Sequence, residues 1–188
     1  MEFVFFVGIL IFIFIMGIFI YNSLISKKNQ VKNAESSIDV MLKKRFDLIP
    51  NLVESVKSYM KYETSVLTEL TELRTKSLIG DLNGEQKVKL DKQLSDALSR
   101  FNVMVEAYPD LKASDNFIML QRSINEVEEQ ISASRRAFNA SVTELNNAIE
   151  MFPSNLFAGP MGLQRHAFFD IPDAERKNLN VGNLLDNS

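Results

Sequence analysis

The sequence predicts an all-α protein: an N-terminal transmembrane helix continuing into the long first helix of an antiparallel three- to four-helix bundle with coiled-coil-like packing, followed by an irregular C-terminal tail. Three observations predict it. An uncharged run lies near the N-terminus, apolar residues recur at sevenfold spacing over two long stretches, and glycine is absent from Asn22 to Ile79 and from Glu85 to Ala158. No period-two alternation competes with this pattern.

The run is "FVFFVGILIFIFIMGIFIY", Phe3 to Tyr21, 19 residues without a charged side chain and holding six of the 14 Phe. At about 1.5 Å per residue it spans roughly 28 Å as a helix, close to the hydrocarbon thickness of a bilayer. It is expected to cross a membrane once, with Phe3, Phe6, Leu10, Phe14, Ile18 and Tyr21 among its anchoring residues. A cleaved signal peptide needs a basic n-region, a shorter core and a small-residue cleavage site. Here the only charge before the run is Glu2 and "IYNSLISKK" has no A-x-A pattern, so a retained anchor is expected. Gly8 and Gly17 form no GxxxG pair, which gives no sign of a glycine-driven helix dimer. Lys27, Lys28 and Lys32 follow the run and no basic residue precedes it. By the positive-inside rule the N-terminus lies outside and the domain in the cytoplasm.

The chain lacks cysteine, so disulfides and thiolate chemistry are excluded. With Glu2 set aside, 23 acidic side chains face 21 basic ones, a poor footprint for nucleic acid.

Beyond the anchor (residues 1–21) the spacing predicts a helical domain over 22–153 and a tail over 154–188. Val31, Ile38, Leu52, Tyr59, Val66 and Leu73 recur in sevens. The stripe keeps phase across Pro50, so one helix bent at the proline is expected, with the freed Phe46 carbonyl satisfied by water or by a donor such as Asn51. "GDLNGE" ends it, and Asn83 caps a second helix carrying Val88, Leu94, Leu98, Phe101, Val105 and Tyr108 inward. Pro109 closes that helix, and Ser114 or Asp115 starts the third. Phe117, Ile124, Ile131, Phe138, Leu145 and Phe152 form the third helix's seam, which stops at Pro153. An up-down-up arrangement of these lengths leaves the membrane-proximal third of the first helix uncovered. The tail, through Phe157, Leu163, Phe168 and Phe169, or a second copy of the chain is expected to cover it.

Charged and polar residues on the seams are the remaining candidates. Arg45 falls on the sevenfold repeat between Ile38 and Leu52, with Asp47 close by. Two readings fit: Phe46 takes the core while Arg45 lies along its edge with a solvated head, or Arg45 makes a buried or interfacial ion pair that fixes register. Asn139 and Asn146, one heptad apart, suggest a similar polar role. Glu126, Glu128 and Glu129 lack the His three residues on that a metal-binding bundle pairs with Glu, and read as a solvated acidic face. His166 is the only histidine, and a lone imidazole without an evident partner reads as an ordinary tail residue. "FPSN" and "AFFD" are expected to dock the tail by simple burial. No catalytic, metal or cofactor-binding residue is assigned.

The chain resembles the LemA family in four stretches taken in order: "IDVMLKKRFDLIPNLVESVKSYMKYE", "EAYPDLKASDNFIMLQ", "EVEEQISASRRAFNASVTELNNAIEMFPSN" and "RHAFFD". The last three hold Tyr108, Pro109 and Arg135. The resemblance implies a bacterial membrane-anchored helical domain, here in the cell (inner) membrane, and carries over no catalytic residue. Where the family commonly has Tyr before Asn in the third helix this chain has Phe138 and Leu145, and where it often has His before Glu this chain has Tyr62. The leading expectation is a single-pass scaffold or organiser that self-associates in the lipid bilayer and contacts an unidentified membrane or cytoplasmic protein. A tethered enzyme or ligand sensor with a site between helices is the alternative, and an exported domain of the same fold differs only in topology.

Overall fold

A computed structural model describes residues 1–60, 64–79 and 82–169. The chain is all-α, with α1 (Glu2–Val56), α2 (Thr64–Leu78), α3 (Gly84–Val105), α4 (Pro109–Lys112), α5 (Asp115–Glu150) and α6 (Asn155–Ala158). Two compact units are formed: among the described residues, those of 36–134 make one, and those of 1–35 with 135–169 make the other.

In the unit of residues 36–134, four helix segments share one core. Ile49, Leu52 and Val56 of α1 meet Leu70 and Leu73 of α2, Leu94 and Phe101 of α3, and Phe117 of α5. The rings of Phe101 and Phe117 lie 6.3 Å apart. Asn83 caps α3 as expected, its side chain accepting from the Gln86 N–H while the Gln86 side chain accepts from the Asn83 N–H. Pro109 opens the short α4, where a missing N–H costs nothing, and buries Leu111.

The long first helix continues through Pro50 as expected but ends well short of the expected turn at Gly80. It runs unbroken through Pro50 and ends at Val56, where the Tyr59 and Met60 N–H groups both bond the Val56 carbonyl. Grooves lined by Val53, Met60 and Leu67 near that end and by Leu42, Phe46 and Leu78 further back show that α2 runs antiparallel to α1. The chain therefore reverses, seven residues past the proline. A sevenfold stripe specifies which face meets the core, not whether one backbone carries it, and two helices packed on the same core keep the same phase. Tyr59 is consequently exposed and Met60 takes the inner position. Two other expected seam residues face outward. Val88 is exposed while Leu90 is buried, and Phe152 lies beyond the last turn of α5 and is 79% exposed.

With α2 inserted, α3 runs parallel to α1, as the pairs Asp39–Lys87 and Arg45–Asp91 show, and α5 runs antiparallel to it. In the unit containing the N-terminus the same antiparallel sense holds: Phe157 lies against Gly17, and Lys27 bonds Glu144 at 2.9 Å. Leu24 and Val31 are there 1% and 3% exposed. The stripe expected to stand open is covered by the chain's own α5, because the extra reversal at α2 lets α5 return along α1.

Candidate functional site

The described residues bring together three polar or open features, which are best built from their side chains. The first is ionic. α1 places Arg45 on the same stripe as Ile38 and Leu52, and both Arg45 and its neighbour Phe46 are buried, so the guanidinium does not reach water. Its Nη1 lies 2.6 Å from Asp91 Oδ1 and donates to Ser95 Oγ at 3.0 Å, and its Nη2 lies 2.6 Å from Glu128 Oε2. The Glu128 contact is a close charge pair without hydrogen-bond alignment. Asp47 is exposed and takes no part. Of the two readings of Arg45 the buried pair is the one found, and Glu128, expected on a solvated acidic face, is half-exposed and reaches the guanidinium from there. Asp91 was legible in principle, since with Leu98 and Val105 it falls on α3's own sevenfold repeat. The cluster ties α1, α3 and α5 in one register.

The second feature is a clasp on the tail. Asn146 Nδ2 donates to the His166 carbonyl while its Oδ1 accepts from the His166 N–H, both at 3.0 Å. Asn139 does the same with Phe169, at 3.0 and 2.8 Å. Seven helical residues rise about 10.5 Å and three extended residues about 10 Å, so the two spacings match. Phe169 then sets its ring edge-on to Phe138 at 6.1 Å and under the Arg135 guanidinium at 5.2 Å. The expected docking of "AFFD" by burial alone is thus corrected: backbone hydrogen bonds from the two asparagines fix its register, and Phe168 is exposed.

The third feature is open space. A groove of about 770 Å³ runs along α2, lined by Val53, Met60, Leu67 and the threonine ridge Thr64, Thr68 and Thr71. A smaller one of about 320 Å³ lies beside the Asp39–Lys87 pair. Among the described residues no group of three or more His, Asp or Glu side chains is placed to hold a metal ion.

The other sequence candidates fall apart in space. Phe3, Phe6, Leu10, Phe14, Ile18 and Tyr21 lie exposed along the first turns of α1, the one helix among those described that is long and apolar enough to cross a membrane. Pro50 and Asn51 are exposed on α1, Tyr108 and Pro109 stand at the turn into α4, and Phe152 and Pro153 follow α5. Tyr62 lies outside the described residues.

Comparison with known proteins identifies the family. The LemA family model matches residues 34–182. Protein LemA of Metamycoplasma hominis is 30% identical, over 94% of this chain and 83% of its own. Magnetosome protein MamQ of Magnetospirillum gryphiswaldense is 25% identical, and magnetosome protein MamQ 2 of Paramagnetospirillum magneticum 24%, each over 79% of this chain. The chain spans 64% of the length of either MamQ protein. A family model over most of the chain, and a relative at this identity over nearly all of it, show that the chain belongs to the LemA family.

Proposed function

We propose that this protein is a single-pass membrane scaffold: residues 3–21 hold it in the bilayer and its helical domain works by association, with further copies of itself or with a protein partner. The observation that carries this reading is α1. One helix, Glu2–Val56, contains both the uncharged run and the residues that enter the core, and no linker separates them. The open groove along α2 is of the kind that receives an amphipathic helix or a peptide from a partner. The relatives' names support the same direction, since MamQ is named for a cell structure and not for a reaction. Lys27, Lys28 and Lys32 favour a cytoplasmic domain.

Crosslinking in native membranes followed by mass spectrometry tests the proposal. Crosslinks from the α2 groove to a second copy or to another protein are expected. A protein that crosslinks only within its own chain, at its natural abundance, contradicts it.

A further inference from the structure

We infer that residues 151–164 form a lipid-facing loop that enters the membrane interface beside the span, so that the protein meets the bilayer at two places. The inference rests on the reading of residues 3–21 as a membrane anchor. It starts from composition. "MFPSNLFAGPMGLQ" has no charged side chain over 14 residues, and Glu150 and Arg165 bracket it. Those two pair with each other, Arg165 Nε to Glu150 Oε1 at 3.0 Å, and both are exposed. The loop is therefore closed at a charged neck that belongs in water.

Its position follows from Phe157. The ring of Phe157 lies 3.4 Å from the point where a Cβ on Gly17 would stand, which seats it against α1 at that level. Gly17 is four residues inside the end of the uncharged run at Tyr21, a depth of about 6 Å along the helix. Interfacial elements of monotopic proteins bury their apolar faces about 5–10 Å into a bilayer. Lys27, which pairs with Glu144, stands six residues beyond the end of the uncharged run, on the water side of that level.

What the loop displays fits lipid. Phe152 and Leu156 are 79% and 64% exposed, and Met151 is exposed with them. Beside Phe152 and Met151 a groove of about 500 Å³ opens onto Phe19 and Ile20 of the span. Exposed aromatic and aliphatic side chains continuous with a membrane span gain contact with acyl chains and headgroup carbons instead of leaving a cold apolar patch in water.

The backbone meets the condition that lipid imposes. Irregular backbone is costly in hydrocarbon because its polar groups go unpaired. In this loop seven N–H groups from Asn155 to Leu163 bond carbonyls between Met151 and Gly159. Pro153 and Pro160 have no N–H to satisfy, and Gly162, with φ at 64°, makes the closing turn that other residues resist. A loop so tightly self-paired can leave water at its tip.

The absence of cysteine from the chain makes the test direct. Full-length single-cysteine variants Ile11→Cys, Leu156→Cys and Met119→Cys are placed in phosphatidylcholine nanodiscs, which are open on both faces. One portion of each is reacted with a charged maleimide, and a second portion is labelled with bimane in discs containing acyl-chain doxyl lipid. Met119, exposed on α5, gives the rate in water. Maleimide labelling at Ile11 and Leu156 should be slower than at Met119 by about tenfold or more, since a thiol away from water does not form the reactive thiolate. Bimane at Leu156 should be quenched by doxyl lipid. Labelling at Leu156 as fast as at Met119, with Ile11 protected, overturns the proposal and leaves the anchor standing. Protection at Leu156 without doxyl quenching means that protein covers the loop, which also overturns it. Fast labelling at Ile11 refutes the anchor, and the proposal with it. Should Leu156→Cys lose its helical circular dichroism, Met151→Cys, exposed in the same loop, is read in its place by the same criteria.

Discussion

Asp91→Ala removes the best-buried partner of a guanidinium that has no route to water. The Arg45 and Asp91 side chains are 4% and 6% exposed, whereas Glu128 is 44% exposed. Deleting one member of a buried pair costs about 3–5 kcal/mol, because the surviving charge stays desolvated. Half-exposed pairs contribute only about 0–1 kcal/mol, so Glu128→Ala should cost no more than that. For a chain of this size each kcal/mol moves Tm by about 2–4 °C, which places Asp91→Ala roughly 6–20 °C below the parent and Glu128→Ala within about 4 °C. Thermal unfolding of the full chain in mild detergent, followed by circular dichroism at 222 nm, reads both. Salt adds a second signature: raising it should weaken the Glu128 contribution and leave that of Asp91 nearly unchanged, since buried pairs are poorly screened. The double variant Arg45→Met with Asp91→Leu should recover most of the loss, as apolar replacement of a buried pair is often neutral or stabilising. Equal small shifts for Asp91→Ala and Glu128→Ala would refute the reasoning, because they would mean that Arg45 is solvated in both.

Three further outcomes are expected. Asn146→Ala deletes both hydrogen bonds to His166, about 1 kcal/mol each, and should speed hydrogen exchange at the His166 amide by about thirtyfold while Tm changes little. Pro50→Ala restores a donor within a continuous helix at an exposed position, so Tm should rise, by up to about 6–12 °C if all of the ~3 kcal/mol proline penalty is recovered; a fall would show that the fold depends on the proline. Phe101→Ala empties the centre of the core beside Phe117 and should cost about 3–5 kcal/mol in the same melting assay.

Which parts of this were legible in the sequence depends on how locally they are determined. α5 was readable because Phe117, Ile131, Phe138 and Leu145 hold one face for the whole helix, and the start of α3 because Asn83 and Gln86 make a capping box from adjacent residues. The end of α1 at Val56 was not. No glycine or proline marks Lys57 to Met60, and a stripe that keeps phase conceals a reversal when both arms face one core. That single missed turn propagated, since it set α3 parallel to α1 and let α5 cover Leu24 and Val31. The ionic cluster was half legible: Arg45 stood out on its stripe, but its partner Asp91 is 46 residues away and was recognisable only once α3's own repeat was traced. The asparagine clasp was visible as a heptad spacing, while its ligand, the backbone of an extended tail, has no side-chain signature to read.

The central claim, that residues 3–21 hold this helical domain in a membrane, is tested most directly by alkaline-carbonate extraction of membranes bearing either the full chain or a chain lacking residues 2–21. The wash strips proteins held only at the surface, including any held by an interfacial loop alone. The account predicts that the full chain stays in the membrane pellet and that the shortened chain, folded by circular dichroism, is released. Release of the full chain by carbonate would contradict it.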